Sequence, residues 1–172
     1  MTAGEAAARR LAGSRSTAWM LAYPLLAMAA MLPPKARRRR RSGEWSGVLI
    51  GVPLAFAGYP AGLALWGFRA SSPPPDPIGR ELTALAAIVA PAEELVWGRR
   101  VEPVLGVPAT AMLFAAKHVV VDGRWRRGLG LALFWTGLGL VRRRSPALSL
   151  IVHVAANAAG VIVGHAEGRD RF

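Results

Sequence analysis

The sequence contains no cysteine in its 172 residues. Disulfide bonds, thiolate nucleophiles and cysteine-ligated metal centres are therefore excluded. Acidic residues are also scarce, because 10 aspartates and glutamates stand against 22 lysines and arginines, giving a formal net charge of +12. Hydrophobic residues nevertheless make up 53% of the chain. A chain that is both basic and apolar must keep its two kinds of residue apart, and apolar runs separated by arginine clusters do so.

The arginines are grouped instead of being spread evenly. Clusters at 37–41, 99–100, 124–127 and 142–144 each flank an apolar run. A nucleic-acid-binding surface, the main alternative for so basic a chain, would interleave arginine with polar positions. Grouped arginines are typical of the ends of membrane segments, where they act as topology signals. We therefore predict the lipid bilayer as a partner and no nucleic acid.

Six apolar runs follow one another along the chain. About 20 residues of helix are needed to cross the ~30 Å hydrocarbon layer of a membrane. The sequence therefore predicts an all-α fold, a polytopic integral membrane helical bundle of about six transmembrane helices. The fifth run is short for a full crossing. The predicted helices cover 17–32, 48–68, 81–102, 108–121, 128–141 and 146–164.

We expect a single membrane domain, 1–172, made of two parts. Residues 1–79 form an N-terminal two-helix region with a proline-rich loop, and residues 80–165 form a four-helix core. The run at 17–32 could instead be a signal sequence, but the basic block at 35–41 follows it and resists translocation, which favours a crossing. With that block in the cytoplasm, we predict a multi-pass protein of the plasma membrane.

Proline and glycine predict where neighbouring helices meet. Pro103 should end the third helix, Gly106 supplies a flexible turn, and Pro108 suits the first turn of the next helix. Ser145 and Pro146 likewise provide a cap and a first-turn residue for the last helix. These positions are the levels from which depth inside each helix can be counted.

Ionisable groups inside the apolar runs need an explanation, because each costs roughly 2.5 to 3.5 kcal/mol to insert. A purely structural network explains them poorly, since interhelical hydrogen bonds in membranes average about 0.6 kcal/mol. We therefore take these groups, with one buried amide, as the candidate functional residues. They are Glu93, Glu94, His118, His153 and Asn157.

Counting the helical rise places these groups at similar depths. Glu93 lies ten residues before the proline that should end its helix, and His118 lies ten residues after the proline that starts the next, so both sit about 15 Å from one side. His153 and Asn157 lie about 10 and 16 Å from the same side. Glu93 and Glu94 point about 100° apart on an α-helix, so we expect only one of them to project fully into the cluster.

The cluster fits the hydrolysis of a peptide bond. A carboxylate and an imidazole that accept protons from one water can make that water nucleophilic. A second imidazole and an amide could donate hydrogen bonds to the oxyanion that forms on the carbonyl. A zinc site formed by Glu93, His118 and His153 is a less favoured alternative, and we expect no cofactor.

Three motifs then resemble those of a known family. The chain reads Glu93-Glu94-Leu-Val-Trp, Phe114-Ala-Ala-Lys-His118 and His153-Val-Ala-Ala-Asn157 on successive apolar runs. It resembles the CAAX-protease and bacteriocin-processing family, which includes the type II CAAX prenyl endopeptidases and carries EExxxR, FxxxH and HxxxN or HxxxD. The resemblance covers about residues 80–165.

The resemblance implies an intramembrane endopeptidase whose site opens to the cytoplasm. Glu93 and His118 would activate the water, His153 and Asn157 would stabilise the oxyanion, and Glu94 would have a supporting role. A bound metal would not be required. The substrate would be a peptide or protein, lipid-anchored ones included. A catalytically degenerate membrane scaffold of the same fold and a small membrane transporter are the alternatives.

One position departs from the family pattern. The family's arginine falls at position 98, which is glycine here, and Arg99 and Arg100 follow. Because Arg99 is displaced by about 100° around the helix, we expect it to pair poorly with Glu94. The sequence thus leaves Glu94 without an arginine partner. Lys117 is interpreted as reaching towards the membrane surface, and His165 as a solvated residue near the C-terminus.

Overall fold

The computed structural model describes residues 14–30, 45–66, 73–122 and 125–171, except for a few side chains at helix ends. Within these ranges the secondary structure is helical and contains no strand, which confirms the predicted all-α class. Six helices follow in order: α1 Arg15–Ala30, α2 Ser46–Leu65, α3 78–101, α4 Glu102–Asp122, α5 Gly128–Arg144 and α6 Pro146–Ala166.

Some sequence predictions fall outside the described residues. They concern the basic block at 35–41, the last two residues of the first run, 31–32, and part of the proline-rich loop, 69–72. The membrane orientation that we inferred from the basic block therefore stays a prediction.

Three helical segments are long and apolar enough to cross a membrane. They are Ser46–Leu65, Ile78–Val120 and Pro146–Ala166, judged by length and composition. Helices α1 and α5, with 16 and 17 residues, are shorter than the ~20 residues of a typical span. The described part of the chain thus has three candidate spans, where the sequence predicts about six.

The outer surface of the helices is apolar. Leu49, Val104 and Val120 are 75%, 80% and 82% exposed, and many other large aliphatic side chains also face outwards. The interior holds charged side chains instead, including Glu93 and Arg142. Apolar residues outside and charged groups paired inside are what a hydrocarbon surrounding favours.

The helical backbone of α3 runs on into the first residues of α4, and the break between the two helical stretches lies at Gly106. Its backbone, with φ 79° and ψ 166°, is the non-helical point inside Glu102–Asp122. Helical backbone therefore continues past Pro103, and the break comes three residues later than predicted. This region of backbone space is essentially restricted to glycine, which is why the helix stops at Gly106. Pro108 then follows at the start of the next helical stretch, as predicted.

Helix α5 lies at the centre of the fold. Trp135, Leu138 and Val141 on this helix are fully buried. Helix α2 approaches α5 through small residues, so that a β-carbon added to Gly51 would lie 2.6 Å from the backbone oxygen of Gly137. Close packing through small residues is typical of membrane helices, because apolar side chains gain little by leaving lipid.

The start of α6 follows the sequence prediction. The Ser145 hydroxyl accepts a hydrogen bond from the backbone N–H of Leu148 at 3.2 Å, and Pro146 is the first residue of the helix. This cap sets the position of α6 along its axis. It thereby sets the depth of His153, which faces the interior two turns later.

Candidate active site

Glu93 on α3 is the centre of a buried polar cluster. Its Oε1 atom lies 3.5 Å from Nε2 of His118 on α4, and its Oε2 atom lies 3.7 Å from Nε2 of His153 on α6. These distances are at or beyond the upper end of direct hydrogen bonding, as is common for catalytic groups in the absence of substrate. The structure therefore brings together the three groups that the depth count placed near one level.

Glu94 contacts the imidazole of His153 from the side opposite to Glu93. Its Oε1 atom lies 3.3 Å from Nδ1 of His153. An ionised carboxylate can only accept a hydrogen bond, so a proton on Nδ1 would make this contact a hydrogen bond, and Nε2 is the nitrogen that faces Glu93. The two adjacent glutamates thus lie on either side of one histidine ring.

The expectation that only one of these glutamates projects into the cluster is therefore wrong. Both side chains are buried, at 4% and 6% exposure for Glu93 and Glu94. A π-helical stretch, Glu94–Val101, begins at the second glutamate. A π-helix has more residues per turn, so consecutive side chains diverge by less than on an α-helix. Such stretches are frequent at functional sites, and this one was not visible in the sequence.

Glu94 has an arginine partner after all, and it comes from α5. Arg142 donates from Nε to Oε2 of Glu94 at 2.9 Å and from Nη2 to Oε1 at 2.7 Å, while its Nη1 donates to Glu102. The Ser149 hydroxyl adds a contact to Glu94 at 3.3 Å. Arg99, by contrast, is exposed. The expectation of an unpaired Glu94 was wrong because it considered partners on the same helix alone.

The interpretation of the arginine clusters as topology signals also needs correction at two positions. Arg142 is 1% exposed and Arg127 is 7% exposed. Arg127 donates from Nε to the hydroxyl of Tyr59 at 2.9 Å. The clusters at 124–127 and 142–144 therefore contain an arginine that is buried in the bundle, whereas Arg143 and Arg144 are exposed as predicted.

Two residues that the sequence did not place in the site contact Glu93. The Tyr23 hydroxyl on α1 donates to Oε1 of Glu93 at 3.2 Å, and Nζ of Lys117 lies 3.3 Å from the same oxygen and 3.0 Å from the Tyr23 oxygen. The interpretation of Lys117 as reaching for the surface is therefore wrong. Its position inside an apolar run was a usable signal, whereas nothing in the sequence linked Tyr23 to Glu93.

Asn157 is buried, but its amide has a different neighbour. Nδ2 donates to the backbone oxygen of Leu85 at 3.0 Å. Leu85 belongs to a second π-helical stretch of α3, Thr83–Val89. The contact joins α6 to the backbone of α3 below the glutamates. The predicted role of Asn157 as an oxyanion donor stays a prediction, and this contact occupies one of its two N–H groups.

Aromatic side chains surround the two histidines. Phe114 lies edge-on to His118 with ring centroids 4.8 Å apart and stacks on Trp135 at 4.3 Å. Phe134 lies edge-on to His153 at 5.0 Å. Phe114 therefore packs against the histidine of its own motif and positions it, as expected. These rings shield the cluster from water and strengthen the electrostatic interactions inside it.

The charges of the cluster nearly balance. Its three carboxylates face one lysine and one arginine, and counting both of these as cations leaves one negative charge when both histidines are neutral. Uncompensated charge is costly in surroundings of low polarity. One proton on an imidazole would balance the cluster, so the cluster is suited to accepting and returning a proton. The groups counted are Glu93, Glu94, Glu102, Lys117 and Arg142.

The same residues bear on the alternative of a zinc site. Among the residues that the structure describes, no group of three or more histidine, cysteine, aspartate or glutamate side chains has a metal-binding arrangement. Zinc binding by Glu93, His118 and His153 stays a prediction.

A second ionic cluster lies near the opposite ends of α3 and α6. Arg15 contacts both Glu81 and Asp170, the latter at 2.7 Å, and Nε2 of His165 lies 3.1 Å from Glu81. The backbone N–H of Ser16 donates to Asp76 nearby at 3.0 Å. The expectation of a solvated His165 is therefore wrong, because the last turn of α6 lies against the start of α3.

Comparisons of the whole chain with protein-family models, with curated proteins and with solved structures found no match. The resemblance to the CAAX-protease family therefore depends on the three sequence motifs alone.

Proposed function

We propose that this protein is an intramembrane endopeptidase of the CAAX-protease type. The observation that carries the proposal is the buried Glu93 carboxylate within 3.5 and 3.7 Å of two imidazoles supplied by α4 and α6. Buried groups that can exchange protons, held among apolar helices, are a strong indication of function in a membrane protein. The reaction is the addition of water to a peptide bond.

The chemical step assigns a role to each group. A water bound by Glu93 and His118 attacks the carbonyl carbon of the scissile bond while its proton passes to Glu93. Hydrogen-bond donors stabilise the oxyanion of the tetrahedral intermediate. The carbon–nitrogen bond then breaks, and the proton passes to the leaving amine. Water is consumed, and one carboxyl group and one amino group are formed.

Several donors are available for the oxyanion. Nδ1 of His153 faces Glu94, so Nε2 is the nitrogen that is available to the oxyanion. With a proton on each ring nitrogen, His153 donates to both groups. Asn157 retains a second N–H beside the one it gives to Leu85. Lys117 and Tyr23 are further donors next to Glu93. A cationic donor is the strongest of these, because charge-assisted hydrogen bonds are about twice as strong as neutral ones.

Six crossings are the topology that we propose for the bundle. Ile78–Val120 contains 43 residues, about 65 Å of helix, which is twice the hydrocarbon thickness. The helix is broken at Gly106, and we propose that the stretches before and after this residue are separate crossings. Helices α1 and α5 are short but contribute Tyr23 and Arg142 to the interior network. We propose a multi-pass protein of the plasma membrane whose site opens to the cytoplasm.

A membrane scaffold without activity is the second candidate, and one observation favours it. Arg142 of α5 binds Glu94 and Glu102 on the helical stretch before Gly106, and the Ser149 hydroxyl of α6 also contacts Glu94, so part of the network joins three helices. Such a network could hold the bundle together without any reaction. A scaffold has no need of a second carboxylate and a second histidine at the same point, and this is where the two candidates differ.

The decisive experiment compares cells that carry wild-type protein, Glu93→Gln or Glu81→Gln. We expect one or more membrane-associated proteins to accumulate in unprocessed form with Glu93→Gln, and normal processing with Glu81→Gln. Immunoblots of membrane fractions must show equal amounts of all three proteins. If Glu93→Gln cells process every protein as wild-type cells do, the peptidase proposal is rejected and the scaffold is favoured.

A further inference from the structure

The space beside Gly98 is occupied by the guanidinium of Arg142. A β-carbon added to Gly98 would lie 2.6 Å from Nε and 2.9 Å from Cζ of Arg142, and 3.1 Å from Oε2 of Glu94. Contacts under 3.0 Å are not tolerated by real side chains without movement. Gly98 also lies midway along the sequence between Glu94 and Glu102, the two carboxylates that Arg142 binds. The absence of a side chain at position 98 therefore creates the place that the arginine fills.

Arg142 is held rigidly in this place. It donates to Glu94 through two nitrogens and to Glu102 through the third, and its guanidinium lies 4.8 Å from the ring centroid of Trp135. Two parallel hydrogen bonds to a carboxylate fix its plane as well as its position. Lysine offers one point charge and cannot reproduce this geometry.

Glu94, held by Arg142, in turn orients the ring of His153. The Oε1 atom of Glu94 accepts from Nη2 of Arg142 at 2.7 Å and lies 3.3 Å from Nδ1 of His153. A carboxylate that accepts the Nδ1 proton fixes both the tautomer and the ring orientation of a histidine. The Nε2 atom of His153 is thereby directed towards Glu93.

We propose that Arg142 is a positioning residue of the site and that Gly98, by having no side chain, leaves the space for its guanidinium. Arg142 holds Glu94, Glu94 holds the proton on Nδ1 of His153, and Nε2 of His153 is presented to the reacting groups. The inference rests on the proposed peptidase function. It assigns to α5 the arginine that the EExxxR pattern places on the same helix as the glutamates.

The test uses the full-length protein in lipid nanodiscs with ¹⁵N-labelled histidine. The chain contains only three histidines, so single His→Gln variants assign every imidazole signal. In the wild type we expect the Nδ1 signal of His153 to be that of a protonated nitrogen over the neutral pH range. Arg142→Lys and Gly98→Ala should change the His153 signals, whereas those of His165 should stay unchanged. Arg143→Lys, on the exposed neighbour, is the matched control.

Kinetics provide the second measurement, on the substrate that accumulates in Glu93→Gln cells. We expect Arg142→Lys to lower kcat about 10- to 100-fold with little change in KM, as losses of partners that orient a reacting group do. A double variant, Gly98→Arg with Arg142→Gly, returns the guanidinium to α3. It should recover at least part of the lost kcat and the wild-type His153 signals.

The outcomes separate the two proposals. If Glu93→Gln abolishes processing but Arg142→Lys and Gly98→Ala leave both kcat and the His153 signals unchanged, the positioning role is rejected and the peptidase stands. If Glu93→Gln has no effect on processing, the peptidase is rejected, and the histidine spectra alone decide whether Arg142 controls His153. Arg142→Lys and Gly98→Ala disturb the same contact from opposite sides. If one of these two variants unfolds, the other is used for the test.

Discussion

The described residues include two clusters built from the same three residue types, and one of them brings a second carboxylate to the same histidine. The inner cluster joins Glu94, His153 and Arg142, and the outer cluster joins Glu81, His165 and Arg15. The histidine–glutamate distances are also similar, at 3.3 and 3.1 Å.

The difference lies in what surrounds each pair. His153 is 1% exposed and faces a second carboxylate, that of Glu93, which in turn contacts His118 and Lys117. The side chain of His165 is 21% exposed, and the further contact described for its cluster is between Arg15 and Asp170. A glutamate–histidine–arginine group is therefore a common way to pair charges, and a second proton-accepting group at the same point is what suggests catalysis.

The largest effect should come from replacing the two histidines in turn. His153→Gln removes a proton-exchanging group from the site, and we expect processing to fall by about 10²- to 10⁴-fold. His165→Gln should leave the rate per folded molecule unchanged. Rates on the accumulated substrate, normalised to correctly folded protein, provide the measurement. Equal losses in the two variants would remove the distinction between the clusters.

Lys117 should have the next largest effect, because it adds a second cation to the inner cluster beside Arg142, whereas the arginine or lysine described in contact with Glu81 is Arg15. Lys117→Met removes the ammonium group 3.3 Å from Glu93 but keeps most of the side-chain volume. Loss of one stabilising donor typically costs about 10²- to 10³-fold in kcat, and we expect a decrease of that order. A variant with wild-type kcat would show that the contact between Lys117 and Glu93 has no part in the reaction.

Arg15 should affect stability without affecting the reaction. Arg15→Met leaves Glu81 and Asp170 without their shared cation, and breaking such a buried pair costs about 3 kcal/mol. We therefore expect a lower midpoint of denaturant unfolding in detergent. The kcat of the remaining folded protein should equal that of the wild type. A fall in kcat at constant stability would show that the outer cluster affects the reaction at the inner cluster.

The smallest effect concerns acid stability at the outer cluster. Burial raises the pKa of Asp76, but hydrogen bonds from Ser16 and the charge of Arg15 outweigh burial and lower the pKa below its usual value. A lowered pKa in the folded state stabilises the protein at neutral pH, and this stabilisation is lost as the pH falls through that pKa. Asp76→Asn should lower stability at pH 7 by about 1 kcal/mol. Its unfolding midpoint should then vary less than that of the wild type below about pH 4.

Much of the inner cluster could be predicted from spacing alone. Glu93, His118 and His153 were placed near one depth because each is a known number of residues from a helix boundary and the rise per residue is nearly constant. The boundary itself was misplaced by three residues at Gly106, but an error of about one turn still leaves long side chains within reach.

The partners across helices could not be predicted in the same way. Tyr23 and Arg142 lie 70 and 48 residues from the glutamates that they contact, and no local pattern links them. The sequence did show that position 98 lacks the arginine expected there. That a neighbouring helix fills the same space becomes visible only when the helices are packed together.

The sequence by itself determined that the chain forms apolar helices and which ionisable groups lie inside them, because the periodic rise of a helix converts residue number into depth. The tertiary structure decided which way those groups face and what they touch. Rotation about a helix axis depends on π-helical stretches such as Glu94–Val101, and lateral neighbours depend on close packing through residues such as Gly98. Neither is a property of a single segment, and both were needed to give Glu94 its arginine.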